Sequence, residues 1–129
     1  MQTVRAIIEA EPLWVPDDMP VEQVAAALAE RGLGGAPVCT RDGAVVGVIS
    51  KTDLTEHYGR AEERLARDLM TPHVLTVRAD APLELAIRRM AVENVHQLVV
   101  VDERERFAGV VTSMDILREL AGCAVAVTR

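Results

Sequence analysis

Aromatic residues are almost absent from this 129-residue chain: Trp14, Tyr58 and Phe107 stand alone. A core assembled from such a sequence has to come from Val, Leu, Ile, Ala and Met, each contributing roughly 1.5–3 kcal/mol when fully buried. Cysteine is scarcer still. Cys39 and Cys123 are far apart and share no framework spacing, which predicts free thiols in a reducing compartment. The histidines His57, His73 and His96 have no ligand spacing with one another or with the cysteines, so no metal site is expected. No apolar run approaches the roughly 20 residues of a membrane span. The first ten residues carry Arg5 and Glu9 and do not read as a signal peptide. A cytoplasmic location is therefore expected. Basic residues are also in deficit, 14 against 20 acidic for a formal charge of −6, which argues against nucleic acid as a partner. Nucleophile elbows, P-loops and metal-binding helix motifs are missing, and with them the usual marks of an enzyme.

What the chain does contain is itself, twice. Shifted by 62 residues it matches without a gap: Leu13 and Val15 fall on Leu75 and Val77, and Asp18, Pro20 and Glu22 on Asp80, Pro82 and Glu84. Gly47-Val48 falls on Gly109-Val110 and Asp53 on Asp115. Chance matches in a chain rich in Ala and Val would pair Val with Val. They would not put Asp, Pro, Glu and Gly in one register.

Each repeat reads β-α-β-β-α, an α/β chain of the α+β type. Short strands at Leu13–Val15 and Leu75–Val77 lead into helices at Pro20–Arg31 and Pro82–Glu93. Apolar positions recur there with helical period, and Gly32 and Asn94 suit a left-handed stop. Strand pairs follow, Ala36–Thr40 with Val45–Ser50 and Gln97–Val101 with Phe107–Thr112. The first is joined by the turn signal Arg41-Asp42-Gly43. Short helices close the units at Lys51–Tyr58 and Ser113–Leu120. The resulting organisation is repeat 1 over residues 1–58, a charged linker over 59–67, repeat 2 over 68–120 and a tail over 121–129. Helical spacing over Glu62–Leu69 suits a short linker helix, and the tail reads either as frayed or as an edge strand.

Ser50-Lys51-Thr52-Asp53 and Thr112-Ser113-Met114-Asp115 each open a helix directly after a strand. Backbone N–H groups and the dipole at such a point favour an anion, and a hydroxyl there can donate to a phosphate oxygen. A carboxylate three residues on can accept both hydrogens of a ribose diol, as acidic residues do in dinucleotide folds. The same spacing also makes a capping box, in which the two side chains serve only the helix. Lys51, Ser113 and His96 are further candidates for touching phosphate.

Asp68-Leu69-Met70-Thr71-Pro72, Leu75-Thr76-Val77, Asp80-Ala81-Pro82-Leu83 and Gly109-Val110-Val111-Thr112-Ser113-Met114-Asp115-Ile116 resemble the CBS (cystathionine β-synthase) domain. Gly35-Ala36-Pro37-Val38 and Gly47-Val48-Ile49-Ser50-Lys51-Thr52-Asp53-Leu54 carry the resemblance in the first repeat. It implies a CBS pair, or Bateman module, with the two repeats about a pseudo-two-fold axis and adenine-containing ligands in clefts between them. AMP, ADP, ATP and S-adenosylmethionine are the candidates, and no cofactor is required. It places Asp53 and Asp115 on the ribose and backbone groups of Gly35-Ala36 and Gln97-Leu98 at the adenine edge. Val48 and Val110 become the opposite wall, and Trp14 and Thr76 border the base. An indole in one repeat against a threonine in the other makes the two sites unequal. The resemblance also implies a homodimer; the sequence shows no obvious effector domain, so output is expected to pass through another protein or the dimer itself. A ligand-free dimerisation or docking module and a nucleic-acid-linked regulator are the alternatives.

Overall fold

A computed structural model describes residues 2–8, 12–57 and 64–128, with side chains as far as residue 122. The chain forms two compact units. One comprises Met1–Pro12 with Leu75–Arg129, the other Leu13–Val74.

In the second of these, β1 (Val15–Pro16) lies parallel to β2 (Gly35–Cys39), which is antiparallel to β3 (Val45–Ser50). The ladder pairs Val15 with Val38, Val38 with Gly47, Ala36 with Ile49 and Gly35 with Ser50. Between β1 and β2 runs α1 (Val21–Arg31). Pro20 precedes it as N-cap, with an extended ψ of 141°, so the helix starts one residue later than the proline suggests. Gly32 stops it at φ 65°, and Leu33 N–H turns back to the Leu28 carbonyl. Val21, Val24 and Leu28 project from one face of α1 onto Val15, Ala36, Val38 and Ile49 to form the core. The segment 64–71 completes this unit. Pro20 bridges Leu65, Ala66 N–H donates to the Met19 carbonyl, and Val48 and Thr71 exchange both backbone hydrogen bonds at 2.9 and 2.8 Å. Of the expected linker helix, Ala66–Leu69 forms α3, and Asp68 caps it by accepting from Leu65 N–H. Glu62 and Glu63 lie outside the described residues.

The other unit repeats the plan with β4 (Thr76–Arg78), α4 (Leu83–Glu93), β5 (Gln97–Val101) and β6 (Phe107–Thr112) in sheet order β4-β5-β6. Asn94 takes the place of Gly32, at φ 54°. Val4, Val77, Leu83, Ala86, Met90, Leu98, Val100, Val111 and Ile116 make its core. The N-terminal segment belongs here: Val4 N–H donates to Ala81, Arg5 N–H to Ala79, and Ile8 packs where Gly109 leaves no side chain.

The expected leading strands shift by a residue or two, because parallel pairing begins only at Val15 opposite Val38 and at Thr76 opposite Val99. The closing helices differ more. α2 is the short Lys51–Glu56, with Tyr58 outside the described residues, while α5 runs Ser113–Thr128. Over residues 121–128 the tail is helix and not an edge strand. It continues α5, since Leu120–Thr128 holds no proline and one glycine only.

Candidate functional site

Both strand-to-helix junctions have the same construction, each inside one compact unit. In the Leu13–Val74 unit, Ser50 ends β3 and caps α2. Its hydroxyl accepts from Asp53 N–H at 3.2 Å, and Asp53 Oδ2 accepts from Ser50 N–H at 2.8 Å. Ser50 Oγ also lies 3.0 Å from the same carboxylate oxygen. Lys51 N–H donates to the Gly34 carbonyl at 2.8 Å, tying the helix start to the beginning of β2. His57 closes α2, with Nδ1 2.8 Å from the Asp53 carbonyl oxygen.

In the other unit, Thr112 Oγ1 accepts from Asp115 N–H at 3.1 Å and Asp115 Oδ2 from Thr112 N–H at 2.8 Å. Ser113 N–H donates to the His96 carbonyl at 2.8 Å and its hydroxyl to the same oxygen at 3.2 Å. The Asp115 side chain is 9% exposed and its second oxygen faces Arg118 Nη1 at 3.6 Å. Arg118 itself is 69% exposed.

The capping function is therefore present at both junctions. Each aspartate uses one oxygen for it, and one first-turn N–H is spent on the capping hydroxyl. A second helix N–H at each junction goes to the residue just before the central strand, Gly34 or His96. What remains for an outside group is the other carboxylate oxygen, the outer helix donors and nearby side chains.

Ladder pairing gathers the other candidates. Gly35 is opposite Ser50 and Gln97 opposite Thr112, so each junction borders the first residue of the central strand. A Cβ on Gly35 would stand 2.8 Å from the Ile49 carbonyl oxygen, so only glycine allows this close strand contact. Val48 and Val110 alternate away from the core and are half-buried. Thr76 opens β4 and is half-buried, while Trp14, just before β1, is 37% exposed. Lys51 and His96 are exposed beside their junctions. Two candidates have inward-facing side chains. Leu98 and Ala36 pair with Val111 and Ile49 on the inward faces of their sheets, and their side chains belong to the cores. They can meet a ligand only through backbone. Arg118 is the residue that sequence analysis does not single out, although its i,i+3 spacing from Asp115 was the available signal. Among the described residues no group of three His, Cys, Asp or Glu side chains is placed to hold a metal. No helix among them is long and apolar enough to cross a membrane.

The repeat geometry has counterparts in known proteins. An uncharacterized protein of Methanocaldococcus jannaschii is 32% identical over 102 residues, which cover 79% of this chain and 34% of that one. The chain thus spans about a third of that relative's length. The CBS domain pair of protein MJ0100, solved in complex with 5-methylthioadenosine and S-adenosyl-L-methionine, superposes with a TM-score of 0.77 at 26% identity, covering 94% of this chain and 97% of that one. CBSX2, a CBS-pair protein from Arabidopsis thaliana, solved in complex with AMP, gives 0.78 at 26% identity with 98% of each chain covered. The CBS-domain family model matches twice, over residues 4–60 and 66–122, in step with the internal repeat and with the two sheets. With both copies matched over most of its length, this chain belongs to the CBS-domain family, as a tandem pair.

Proposed function

We propose that this chain is a regulatory module, not an enzyme, that senses an adenine nucleotide or a related adenosyl ligand at one or both strand-to-helix junctions. The observation that carries this reading is the full-length likeness to two CBS pairs solved with AMP and with adenosyl ligands. The repeated Ser50–Asp53 and Thr112–Asp115 constellations support it locally. In this reading, Asp53 and Asp115 accept from the ribose diol, and backbone at Gly35-Ala36 and Gln97-Leu98 meets the adenine edge. Val48 and Val110 flank the base beside Trp14 and Thr76. Lys51, Ser113 and His96 stand nearest the phosphate. AMP, ADP, ATP and S-adenosylmethionine are the ligands to test.

Regulation follows only if ligand binds two states of the module with different affinity. Its readout then passes through a partner protein or a homodimer. Met114, Leu117 and Leu120 on α5, 53%, 55% and 65% exposed, offer apolar surface for such contacts. A cytoplasmic location and the absence of a nucleic-acid partner are part of the same proposal, in keeping with the net charge of −6.

A thermal-shift panel of adenine and guanine nucleotides, S-adenosylmethionine and methylthioadenosine tests the proposal. Ligand at 100 times its dissociation constant adds about 2.7 kcal/mol, a rise of roughly 10 °C for a domain of this size. No shift with any adenosyl compound at millimolar concentration would refute it. A second reading has one observation in its favour. Both aspartates are already engaged in capping, which is all that a ligand-free docking module needs of them.

A further inference from the structure

The two junctions share a backbone plan but not a charge pattern. In the second repeat, the fixed and largely buried carboxylate of Asp115 has an exposed guanidinium, Arg118, 3.6 Å from its outer oxygen. One helical turn beyond Asp53, at the position that matches Arg118 under the 62-residue shift, stands Glu56, which is also exposed. The arginine partly neutralises the one carboxylate, whereas at the other junction the cation is Lys51, at the helix start, and a glutamate stands where the arginine would be. Lys51 and Ser113, which match each other, give each junction a different helix start as well.

We infer that Arg118 determines ligand charge at the Thr112–Asp115 junction. It makes this junction favour a phosphorylated over an uncharged adenosyl ligand. The inference rests on the function proposed above. An aspartate that accepts from a sugar also repels the phosphate on that sugar. A cation beside it cancels that repulsion, and Arg118 is long and exposed enough to follow the ligand. A thioether-bearing nucleoside has no such charge and is indifferent to the arginine. Arg118 is therefore a specificity residue acting through the local field and not a part of the core. The Thr112–Asp115 hydrogen bonds do not use Arg118.

The test uses the whole chain. AMP and methylthioadenosine are titrated calorimetrically into wild type, Arg118→Gln and Arg118→Glu at low and at physiological salt, and the melting temperature of each variant is recorded. Arg118→Glu is expected to weaken AMP roughly tenfold or more at low salt, with the glutamine variant between. Methylthioadenosine should change less than about twofold, and the AMP effect should shrink as salt rises. If AMP and methylthioadenosine weaken together, or if AMP is unaffected, the assignment of Arg118 is wrong while the sensing function stands. If wild type binds neither compound, the function falls and this inference falls with it.

Discussion

Under the proposed function, Asp115 is the residue at which folding and binding overlap, and two substitutions separate them. Its Oδ2 is the acceptor for Thr112 N–H at 2.8 Å, and the side chain is 9% exposed. Asp115→Ala removes that acceptor and should cost about 1 kcal/mol of folding, the usual loss for a helix cap. For a domain of this size, that lowers the melting temperature by roughly 3–6 °C. Asp115→Asn keeps an amide oxygen in the same place, so Thr112 N–H retains an acceptor and stability should fall by less. The asparagine is not a charged acceptor, and its NH2 group faces the diol with donors in place of lone pairs. A lost hydrogen bond to a charged group is worth about 1.5–3 kcal/mol, or roughly a 10- to 150-fold weaker dissociation constant. Both variants should therefore bind AMP at least tenfold more weakly by calorimetry, while only the alanine variant shows the larger drop in melting temperature. If Asp115→Asn binds as tightly as wild type, Asp115 is a cap and nothing more, and the ribose assignment is refuted.

Three further expectations concern the scaffold. A Cβ on Gly47 would lie 2.8 Å from the Thr71 carbonyl oxygen and 2.6 Å from Met70 Sδ, so Gly47→Ala must push apart the Val48–Thr71 backbone pair. The loss should be about 2–3 kcal/mol in urea unfolding, whereas Gly34→Ala, with open space around it, should be neutral or slightly stabilising. An unchanged midpoint for Gly47→Ala would contradict this packing. Glu105 holds φ 61° where the first repeat has Gly43 at φ 96°. Glu105→Gly should thus raise stability by up to about 1 kcal/mol, and a lower melting temperature would show that the loop is not strained. Burial raises the Cys39 thiol to about 11 from an ordinary 9.0. A raised folded value means that stability is intact below pH 9 and declines as the pH climbs from about 9 to about 11, because the unfolded thiol ionises first. Cys39→Ala should show a shallower loss than wild type over that window, and parallel curves would discount the thiol. In native protein the same thiol should resist alkylation at pH 8.

Local chemistry wrote much of this fold into the sequence. The strands Val45–Ser50, Gln97–Val101 and Phe107–Thr112 coincide with their apolar runs, and Gly32 and Asn94 both take the left-handed stop that their residue types suggest. The Ser50–Asp53 and Thr112–Asp115 pairs were legible as capping boxes because every atom involved lies within four residues. A duplicated pattern in one register was enough to indicate two sheets of like design. Long-range backbone pairing was not legible. Nothing in the periodicity of residues 2–8 says that Val4 and Arg5 donate to Ala81 and Ala79, nor in residues 64–71 that Thr71 joins Val48. Such hydrogen bonds use groups that every residue carries, so no side-chain pattern records them. The faces of β2 and β5 were settled only by the cores they cover. Ala36 and Leu98 turn inward because Ile49 and Val111 oppose them, which removes both side chains from the candidate sites. The sequence alone determined the repeat, the element order and the two capping constellations, since these depend on neighbours along the chain. Tertiary structure decided which segment completes which core, and which candidates face outward, because those outcomes depend on contacts between residues distant in sequence.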